Sequence, residues 1–432
     1  MTANRRLLSA YAVLTFFTVL AGDAWRYSIT WFGFGAVVLV IVAFAVVLLV
    51  KQRGRWRFND LPYPLVAFVA LTILSIAWSD YRQWTAVGAL TTVMTVSAAL
   101  AIAVTFTLPQ ILRLLGHALR IILGLSILFE LFVSVIIRHP ILPWWTNYTG
   151  LTVHPADYWS RDLLFHGKQI QGIVGNSNLL GFIALLGLIV FAIEFASRSI
   201  HRGWAGFWIV VAVADILLTR SATVTVAIVV VAAATIVLLL LRQAKTARGR
   251  SYVGIGAIAV IAICAAGAVV FNHRLLLLLG KSSDLTGRTR IWGEVVHLAG
   301  QRPFAGWGWI SYWVPGLPPF NNKAFTNGGV ELLQAHEAWL DVWLQLGILG
   351  LIVFAALAIS TLVRAWILAV DRPQLGRMSV KRHSAVSLLP VLLLVALLAQ
   401  SLAESRLLIE YGMLLLALIA IKTKHQDPVV ET

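Results

Sequence analysis

Residues 221–241 decide the fold: they read SATVTVAIVVVAAATIVLLLL and contain no charged residue. A helix of roughly 20 apolar residues crosses the hydrocarbon core of a bilayer, so this stretch predicts a membrane span. Hydrophobic residues make up 59% of the 432-residue chain, and charged residues only 12%. Further apolar runs lie at 7–22, 31–50, 62–78, 84–106, 118–137, 172–196, 204–219, 252–271, 346–368, 384–402 and 405–421. The sequence therefore predicts an all-α polytopic membrane protein with about 12 transmembrane helices.

Basic residues indicate which side of the membrane each loop occupies. With twelve spans and a cytoplasmic N-terminus, about 21 of the 34 Lys and Arg residues lie on short cytoplasmic segments. Cytoplasmic loops are enriched in Lys and Arg, so we expect both termini in the cytoplasm. The net charge of +16 is explained by this bias and by contact with anionic membrane lipids. It requires no nucleic-acid partner.

The N-terminal segment and the cysteine content bear on processing and metal binding. No small-residue cleavage pattern follows the first apolar run, and residues 23–26 predict a short turn, so we expect no cleaved signal peptide. Cys264 is the only cysteine, which excludes an internal disulfide. Because the sequence has no cluster of His and Cys residues, we expect no structural zinc site and no metal cofactor.

Two connecting segments are long, and we expect both on the face away from the cytoplasm. The first, 138–171, is rich in Trp and Tyr, which is typical of a membrane interface. The second, 272–345, is the largest polar region, and function concentrates on long loops. We therefore divide the chain into N-terminal transmembrane helices with the first outer loop (1–171), central transmembrane helices (172–271), an extracytoplasmic loop expected to be catalytic (272–345) and C-terminal transmembrane helices (346–432).

The large loop shows signs of internal structure. Asp284 and Thr286 are suitable N-caps for a helix over residues 288–299. Beyond it, the Pro-, Gly- and Asn-rich segment 315–329 predicts a polar stretch able to move over a site. Residues 331–346 predict a second helix that continues into the next span.

His336 lies near the end of this loop, where the chain re-enters an apolar helix. Water and a membrane-borne substrate both have access to such a position, and an imidazole there suits a general base that deprotonates a hydroxyl. Glu337 and Asp341 are near in sequence, and we expect them to raise its basicity. Gly347 and Gly350, at helical spacing, allow close packing. The alternative is a hydrogen-bonded interfacial histidine with no catalytic role.

Two arginines begin the predicted helix over 288–299. Arg288 and Arg290 are two residues apart and point to different sides of a helix, so at most one faces a site squarely. Arg288 shares a face with Trp292, which favours a contact between guanidinium and indole. Arg290 shares a face with Glu294, which favours an ion pair. The alternative is an ordinary amphipathic helix lying on the membrane.

Two further positions are suited to an anionic ligand. Arg220 lies in a turn between two apolar runs, where a cation either binds an anion or snorkels to the interface. Asn178 or Ser177 can cap the helix that follows Gly175 and so present backbone N–H groups to an anion. Simple helix capping is the alternative for this segment.

Four acidic residues lie inside predicted spans, at Glu130, Glu194, Asp215 and Glu410. Such residues are typical of proton sites in transporters. They are scattered, however, and we expect neither the broken helices nor the internal repeats on which transporter cores are built.

Four segments, in this order, resemble motifs of the O-antigen ligase and polymerase superfamily. Asn176-Ser177-Asn178 resembles the family's Gly-Asn-x-Asn entry to a middle span, and Thr219-Arg220-Ser221 resembles its Ser-Arg turn. Gly287-Arg288 with Trp292, then Pro303-x-x-Gly306-x-Gly308, resembles the start of the shared ligase domain. Ala335-His336 followed by Gly347-x-x-Gly350 resembles the ligase motif. One departure is Glu337, where the family usually has Asn, Ser or Gln.

The resemblance implies an inverting, metal-independent glycosyltransferase of the GT-C type in the bacterial cytoplasmic membrane. The donor would be an undecaprenyl-diphosphate-linked glycan, used on the extracytoplasmic face, and the acceptor would be lipid A core, another polymer or a protein. By this resemblance Arg220 and Arg288 bind the diphosphate, with Arg290 as the substitute in a different register. His336 takes the acceptor proton. Trp292, Glu337 and Asn178 complete the substrate site.

Two other functions fit the same sequence. A polysaccharide polymerase would join lipid-linked repeat units to each other, whereas a ligase needs a second kind of acceptor. A transporter or flippase of lipid-linked sugars would move its substrate without forming a glycosidic bond.

Overall fold

The computed structural model describes residues 2–146, 153–270, 288–327, 330–371, 374–375, 379–380 and 383–424. Within these ranges two pairs of two-residue strands are antiparallel, β1 (Thr326–Asn327) with β2 (Val330–Glu331) and β3 (Gln374–Leu375) with β4 (Ser379–Val380). The rest of the regular structure is helical. Its α-helices are α1 (Thr2–Leu20), α2 (Gly22–Lys51), α3 (Tyr63–Leu74), α4 (Arg82–Thr105), α5 (Leu108–Phe132), α6 (Ser177–Ser197), α7 (Arg202–Thr219), α8 (Ala222–Gln243), α9 (Ala247–Val270), α10 (Arg288–Gln301), α11 (Ala338–Val370), α12 (Leu389–Ser401) and α13 (Glu410–Lys424).

Each predicted apolar run overlaps one of these helices. This is expected because a polypeptide inside a bilayer must form its backbone hydrogen bonds without water. Among the described residues, seven helices are long and apolar enough to cross a membrane: α2, α4, α5 with its extension to Ile137, α6, α7, α8 and α11. The prediction of an all-helical, multi-pass membrane protein is confirmed. The total of twelve spans stays a prediction, since α3 and α12 are shorter apolar helices.

Two helices contain a break, so the expectation of unbroken helices was wrong. In α2 the backbone leaves helical geometry at Ile29 and Thr30, while residues 23–26, predicted as a turn, lie within the helix. In α11 the break is at Gly347, whose φ of 65° lies in the left-handed region. A Cβ on Gly347 would lie 2.3 Å from the carbonyl carbon of Phe304. Only glycine fits this approach of two backbones.

The break in α11 allows a loop segment to bind the helix through its backbone. The N–H groups of Trp307 and Gly308 donate to the carbonyls of Leu344 and Gln345, at 3.0 and 2.8 Å. The N–H of Ile348 donates in turn to Pro303, at 2.8 Å. Groups released from the helix ladder are therefore satisfied by residues 303–308. This contact joins the two glycine motifs that the sequence analysis treated separately.

The helix predicted over 331–346 begins later than expected, at Ala338. Val330–Glu331 pairs with Thr326–Asn327 as a short hairpin, and His336 has a φ of 54°. A left-handed residue cannot continue an α-helix, so the chain turns at His336 before α11 starts. The turn holds the histidine at the head of the helix rather than along its side.

The large loop forms a small hydrophobic core of its own. Ile291, Val295 and Leu298 of α10 pack in one cluster with Trp313 and Phe325. The indole of Trp309 reaches further into the helical bundle and donates to Thr92 at 2.9 Å. The described part of this loop is therefore a packed unit attached to the helix ends. The predicted helix over 288–299 is found, while its predicted caps, Asp284 and Thr286, and the motif residue Gly287 lie outside the described residues.

Three of the four acids predicted inside spans have partners. Glu130 accepts from the N–H groups of Gln171 and Gly172, at 3.0 and 2.7 Å. Glu194 pairs with Arg120, and Glu410 pairs with Arg26. Asp215 is buried, and its two carboxylate oxygens have no hydrogen-bond partner among the described residues. Most of these acids are thus accounted for by internal contacts.

Candidate active site

A polar cavity of about 190 Å³ opens between the start of α6, the start of α10, the turn before α11 and the segment between α12 and α13. It brings together three predicted site residues, Asn178, Arg288 and His336. The described residues that line it are Asn176, Asn178, Leu179, Arg288, Ile291, Leu332, Gln334, His336, Gln400, Glu404 and Arg406. Polar side chains from four separate parts of the chain therefore converge on one space.

Glu404 connects the histidine to the arginine. Its carboxylate accepts from Arg288 Nη2 at 2.9 Å, from His336 Nδ1 at 2.9 Å and from Gln334 Nε2 at 3.1 Å. Burial alone would raise the pKa of Glu404, but the neighbouring His336, Arg288 and Arg406 hold it below its ordinary value. Glu404 is therefore a stable carboxylate that orients two side chains at the cavity.

The backbone just before His336 is held by two hydrogen bonds of Ala335. The carbonyl of Ala335 accepts from the indole N–H of Trp292 at 3.2 Å, and the N–H of Ala335 donates to Asp341 at 3.3 Å. Nδ1 of His336 is directed at the Glu404 carboxylate, which can only accept a hydrogen bond. In the neutral imidazole the proton is therefore assigned to Nδ1, and Nε2 can accept a second proton. The arrangement is that of a base oriented by a carboxylate.

The acid paired with His336 is Glu404, and not one of its sequence neighbours as predicted. Glu337 is the N-cap of α11 and accepts from the N–H of Leu340 at 2.5 Å. Burial raises the pKa of Glu337. Asp341 is buried and accepts from the side chains of Trp313 and Gln345, at 2.9 and 2.8 Å. Both acids are occupied in forming the start of the helix.

Helix α10 directs its two arginines differently. Arg288 lines the cavity, whereas Arg290 is exposed and is not one of the lining residues. Trp292 does not line the cavity either, but its bond to Ala335 ties α10 to the turn that carries His336. Glu294, predicted to pair with Arg290, accepts from the amide of Asn322 at 2.7 Å.

The start of α6 lies beside the turn that follows α7. The N-cap of α6 is Asn176, which accepts from the N–H of Leu179 at 3.0 Å, so capping by Ser177 or Asn178 was a wrong prediction. Asn178 instead accepts from the hydroxyl of Ser221 at 2.7 Å. Arg220 precedes that serine, is exposed in a left-handed turn and does not line the cavity. The structure thus brings Asn178, but not Arg220, to the cavity.

Sequence reasoning missed the residues between α12 and α13. Glu404 and Arg406 both line the cavity, and Arg406 Nη1 donates to Tyr312 Oη and to Glu410, at 2.7 and 2.8 Å. The signal that could have found them is charge at the border of two apolar runs, because ionisable residues at such positions are costly and usually functional.

A second cavity, of about 250 Å³, is lined in part by Tyr312 and Glu410. It is mainly apolar and is formed by α1, α2, α4 and α13. Arg26 lies in its wall, with its guanidinium 4.8 and 4.5 Å from the ring centres of Trp31 and Phe34. His336 lines the polar cavity and not this apolar one.

Residues 207–355 match the protein family described as O-antigen ligase. We call residues 207–355, which are similar to this family, the O-antigen ligase domain. It contains six of the predicted site residues: Arg220, Arg288, Arg290, Trp292, His336 and Glu337. The resemblance found in the sequence motifs is therefore confirmed. Asn178, Glu404 and Arg406 lie outside the O-antigen ligase domain, so the polar cavity is completed by chain on both sides of it.

A curated protein also resembles this chain. The exopolysaccharide production protein ExoQ of Rhizobium meliloti (strain 1021) is 30% identical over 198 residues. The aligned part covers 44% of this chain and 45% of ExoQ, so the chain matches less than half the length of that relative. The chain is therefore similar to the O-antigen ligase family and to an exopolysaccharide production protein, and it has several helices able to cross a membrane.

Proposed function

We propose that this protein transfers a glycan from an undecaprenyl-diphosphate-linked donor to an acceptor hydroxyl on the extracytoplasmic face of the membrane. The observation that carries the proposal is the pairing of His336 and Arg288 through Glu404 at one polar cavity. His336 and Arg288 both belong to the O-antigen ligase domain. A base and a guanidinium at one cavity match the two needs of the reaction. One is removal of a proton from the acceptor, and the other is stabilisation of a departing diphosphate.

The reaction is a single displacement with inversion. Nε2 of His336 takes the proton of the acceptor hydroxyl, while that oxygen forms a bond to the anomeric carbon of the donor sugar. The bond from this carbon to the diphosphate oxygen breaks, and its electron pair leaves with the diphosphate. The imidazolium that forms is stabilised by Glu404, whose carboxylate lies 2.9 Å from Nδ1.

Arginine side chains replace a metal ion in this scheme. Arg288 binds the diphosphate and neutralises charge as it leaves, since a guanidinium presents two parallel donors to phosphate oxygens. Arg220, on the turn next to Ser221 and Asn178, is the second proposed diphosphate ligand. Arg290 is the substitute for Arg288 in a different register. Transfer is therefore expected to persist in excess EDTA, and loss of activity that Mg²⁺ restores would contradict this scheme.

A polymerase is the second candidate function, and the match to ExoQ favours it, because that relative is named for exopolysaccharide production. The same cavity chemistry applies. The acceptor hydroxyl then belongs to a second lipid-linked glycan instead of a different class of molecule.

The test is product formation by purified protein in proteoliposomes that contain a single lipid-linked oligosaccharide. A polymerase elongates this donor by itself, while a ligase forms product only after a separate acceptor is added. Mass spectrometry of the glycans distinguishes the two. Lipid translocation without any new glycosidic bond, with every acceptor tried, would overturn the proposal in favour of a flippase.

His336→Ala is the variant that tests the catalytic assignment. General-base catalysis contributes roughly 10²–10⁴-fold, so we expect transfer to fall by about that factor while donor binding changes little. His297→Ala is the matched control, because His297 is exposed on α10 and does not line the cavity. Near-normal transfer by His336→Ala would show that the imidazole is structural.

A further inference from the structure

Arg406 is a second guanidinium at the polar cavity, and the proposed function has not used it. It lies in the 3₁₀ turn Ser405–Leu408 that joins α12 to α13, and it lines the cavity together with Arg288. Arg288 comes from the start of α10, so the two cations reach the same space from different elements. Its side chain is 16% exposed, which leaves a small part of it open to a ligand.

The guanidinium of Arg406 is fixed by two hydrogen bonds from one of its nitrogens. Its Nη1 donates to Tyr312 Oη at 2.7 Å and to Glu410 Oε2 at 2.8 Å. Glu410 is shared with a second arginine, Arg26, which also pairs with Asp23 at 2.6 Å. A side chain held in this way is pre-organised, because the loss of its rotamer freedom has occurred before any ligand binds.

The charges that line the cavity leave Arg406 available for an anion. Among the described residues that line the cavity, Glu404 is the one carboxylate, and it is already bonded to Arg288, His336 and Gln334. The carboxylate that balances Arg406, Glu410, lines the apolar cavity instead. Within the described part of the chain, an anion in the polar cavity therefore meets two guanidiniums and one carboxylate.

We propose that Arg406 binds one phosphate group of the lipid-linked diphosphate while Arg288 binds the other, so that this pair selects a diphosphate over a monophosphate. The inference rests on the proposed function, because it assigns the polar cavity to the donor's diphosphate. It adds a ligand from outside the O-antigen ligase domain, in the segment between the last two described helices. Arg406 contributes to recognition, whereas His336 remains the base.

The competing explanation is that Arg406 only ties α13 to Tyr312 of the large loop. Arg26 supplies a matched control for this explanation, because it is bonded to the same carboxylate, Glu410, but lines only the apolar cavity. Arg26→Gln and Arg406→Gln each remove one cation from Glu410. Only Arg406→Gln removes a cation from the polar cavity.

The experiment measures binding of undecaprenyl diphosphate and of undecaprenyl monophosphate to purified protein in nanodiscs. Wild type is expected to bind the diphosphate more tightly. Arg406→Gln should weaken diphosphate binding on the order of 10- to 100-fold, as for loss of a charge-assisted hydrogen bond, and should reduce the preference over the monophosphate. Arg26→Gln should keep both the diphosphate affinity and the preference. Arg406→Lys keeps the positive charge but loses the paired N–H donors of the guanidinium. Its affinity for the diphosphate should lie between those of wild type and Arg406→Gln.

Each result distinguishes the inference from the function on which it rests. If wild type binds neither lipid, the proposed function fails. If wild type prefers the diphosphate and Arg406→Gln keeps that preference, only the role of Arg406 is overturned. Equal losses of diphosphate affinity in Arg26→Gln and Arg406→Gln would also overturn the role of Arg406. The effect would then act through Glu410, which both arginines contact. If Arg406→Gln does not fold, Arg406→Lys takes its place in the test. A folded Arg406→Lys protein that binds the diphosphate as tightly as wild type would refute the inference.

Discussion

Glu404 links the proposed base to the proposed diphosphate ligand through one carboxylate. Its bonds to His336 and Arg288 join side chains from two elements of the large loop to the segment after α12. Removing the charge while keeping the shape should therefore disturb both partners at once. Glu404 does not touch the reacting atoms in the proposed mechanism and is a positioning residue.

Glu404→Gln is expected to lower kcat by about 10²-fold or more, because the imidazole loses the carboxylate that fixes its tautomer and stabilises its charged form. Glu404→Asp, which keeps the charge on a shorter side chain, should recover part of this loss. Steady-state kinetics with the lipid-linked donor measure both variants. An unchanged kcat for Glu404→Gln would remove Glu404 from the mechanism.

The stability that Glu404 contributes should depend on pH. Its folded-state pKa lies below the ordinary value of 4.5, because His336, Arg288 and Arg406 outweigh the effect of burial. The contribution is therefore fully present above about pH 4.5 and is lost as the pH falls through the lower folded-state pKa. Thermal unfolding of wild type and Glu404→Gln should differ most near neutral pH, and the difference should shrink in acid. A stability difference between the two proteins that grows as the pH falls would contradict this prediction.

At the scale of elements, the start of α11 depends on Glu337 as its N-cap. Glutamine keeps a side-chain oxygen that can accept from Leu340, so Glu337→Gln should retain transfer activity. Glu337→Ala removes the cap and should lower the free energy of unfolding by about 1 kcal/mol. Unfolding and transfer measured on both variants check this prediction. A loss of transfer in Glu337→Gln without a loss of stability would instead give Glu337 a role in the reaction.

The break at Gly347 is the second element-scale feature that invites a test. Alanine at this position would be strained at a φ of 65° and would place its Cβ 2.3 Å from the Phe304 carbonyl carbon. We expect Gly347→Ala to destabilise the protein by roughly 2 kcal/mol or more and to displace residues 303–308.

Gly293→Ala is the control for this substitution. Gly293 lies within α10, and a Cβ added there meets nothing within 4 Å. That change should be neutral or stabilising by up to about 1 kcal/mol, because alanine favours a helix more than glycine does. Equal unfolding temperatures for Gly347→Ala and wild type would show that the break is not required.

At the scale of the whole molecule, the predicted orientation sets which side of the membrane the cavity faces. Asn321 is exposed in the large loop, and Lys245 is exposed between α8 and α9. In a Cys264→Ala background, Asn321→Cys should react with a membrane-impermeant thiol reagent in intact cells. Lys245→Cys should react only after lysis. The reverse pattern would place the large loop in the cytoplasm and remove the proposed substrate side.

The amino-acid sequence was sufficient for features that depend on local composition. Long apolar runs predicted the helical membrane bundle, because backbone groups inside the hydrocarbon core must be hydrogen-bonded within the protein. Local pattern also predicted helix α10, and motif spacing singled out Arg288 and His336 in a segment that matches the O-antigen ligase family. These properties are carried by residues close together in the chain.

Only the tertiary structure decided how the site is assembled. Glu404 lies 68 residues from His336 and 116 from Arg288 along the chain, so no local pattern links them. The acids near His336 in sequence, Glu337 and Asp341, are used instead to cap a helix and to hold Trp313 and Gln345. Which carboxylate pairs with the histidine is set by the packing of α10, α11 and the segment after α12 against each other. This pairing depends on which side chains are close in space, and that cannot be read from their separation along the chain.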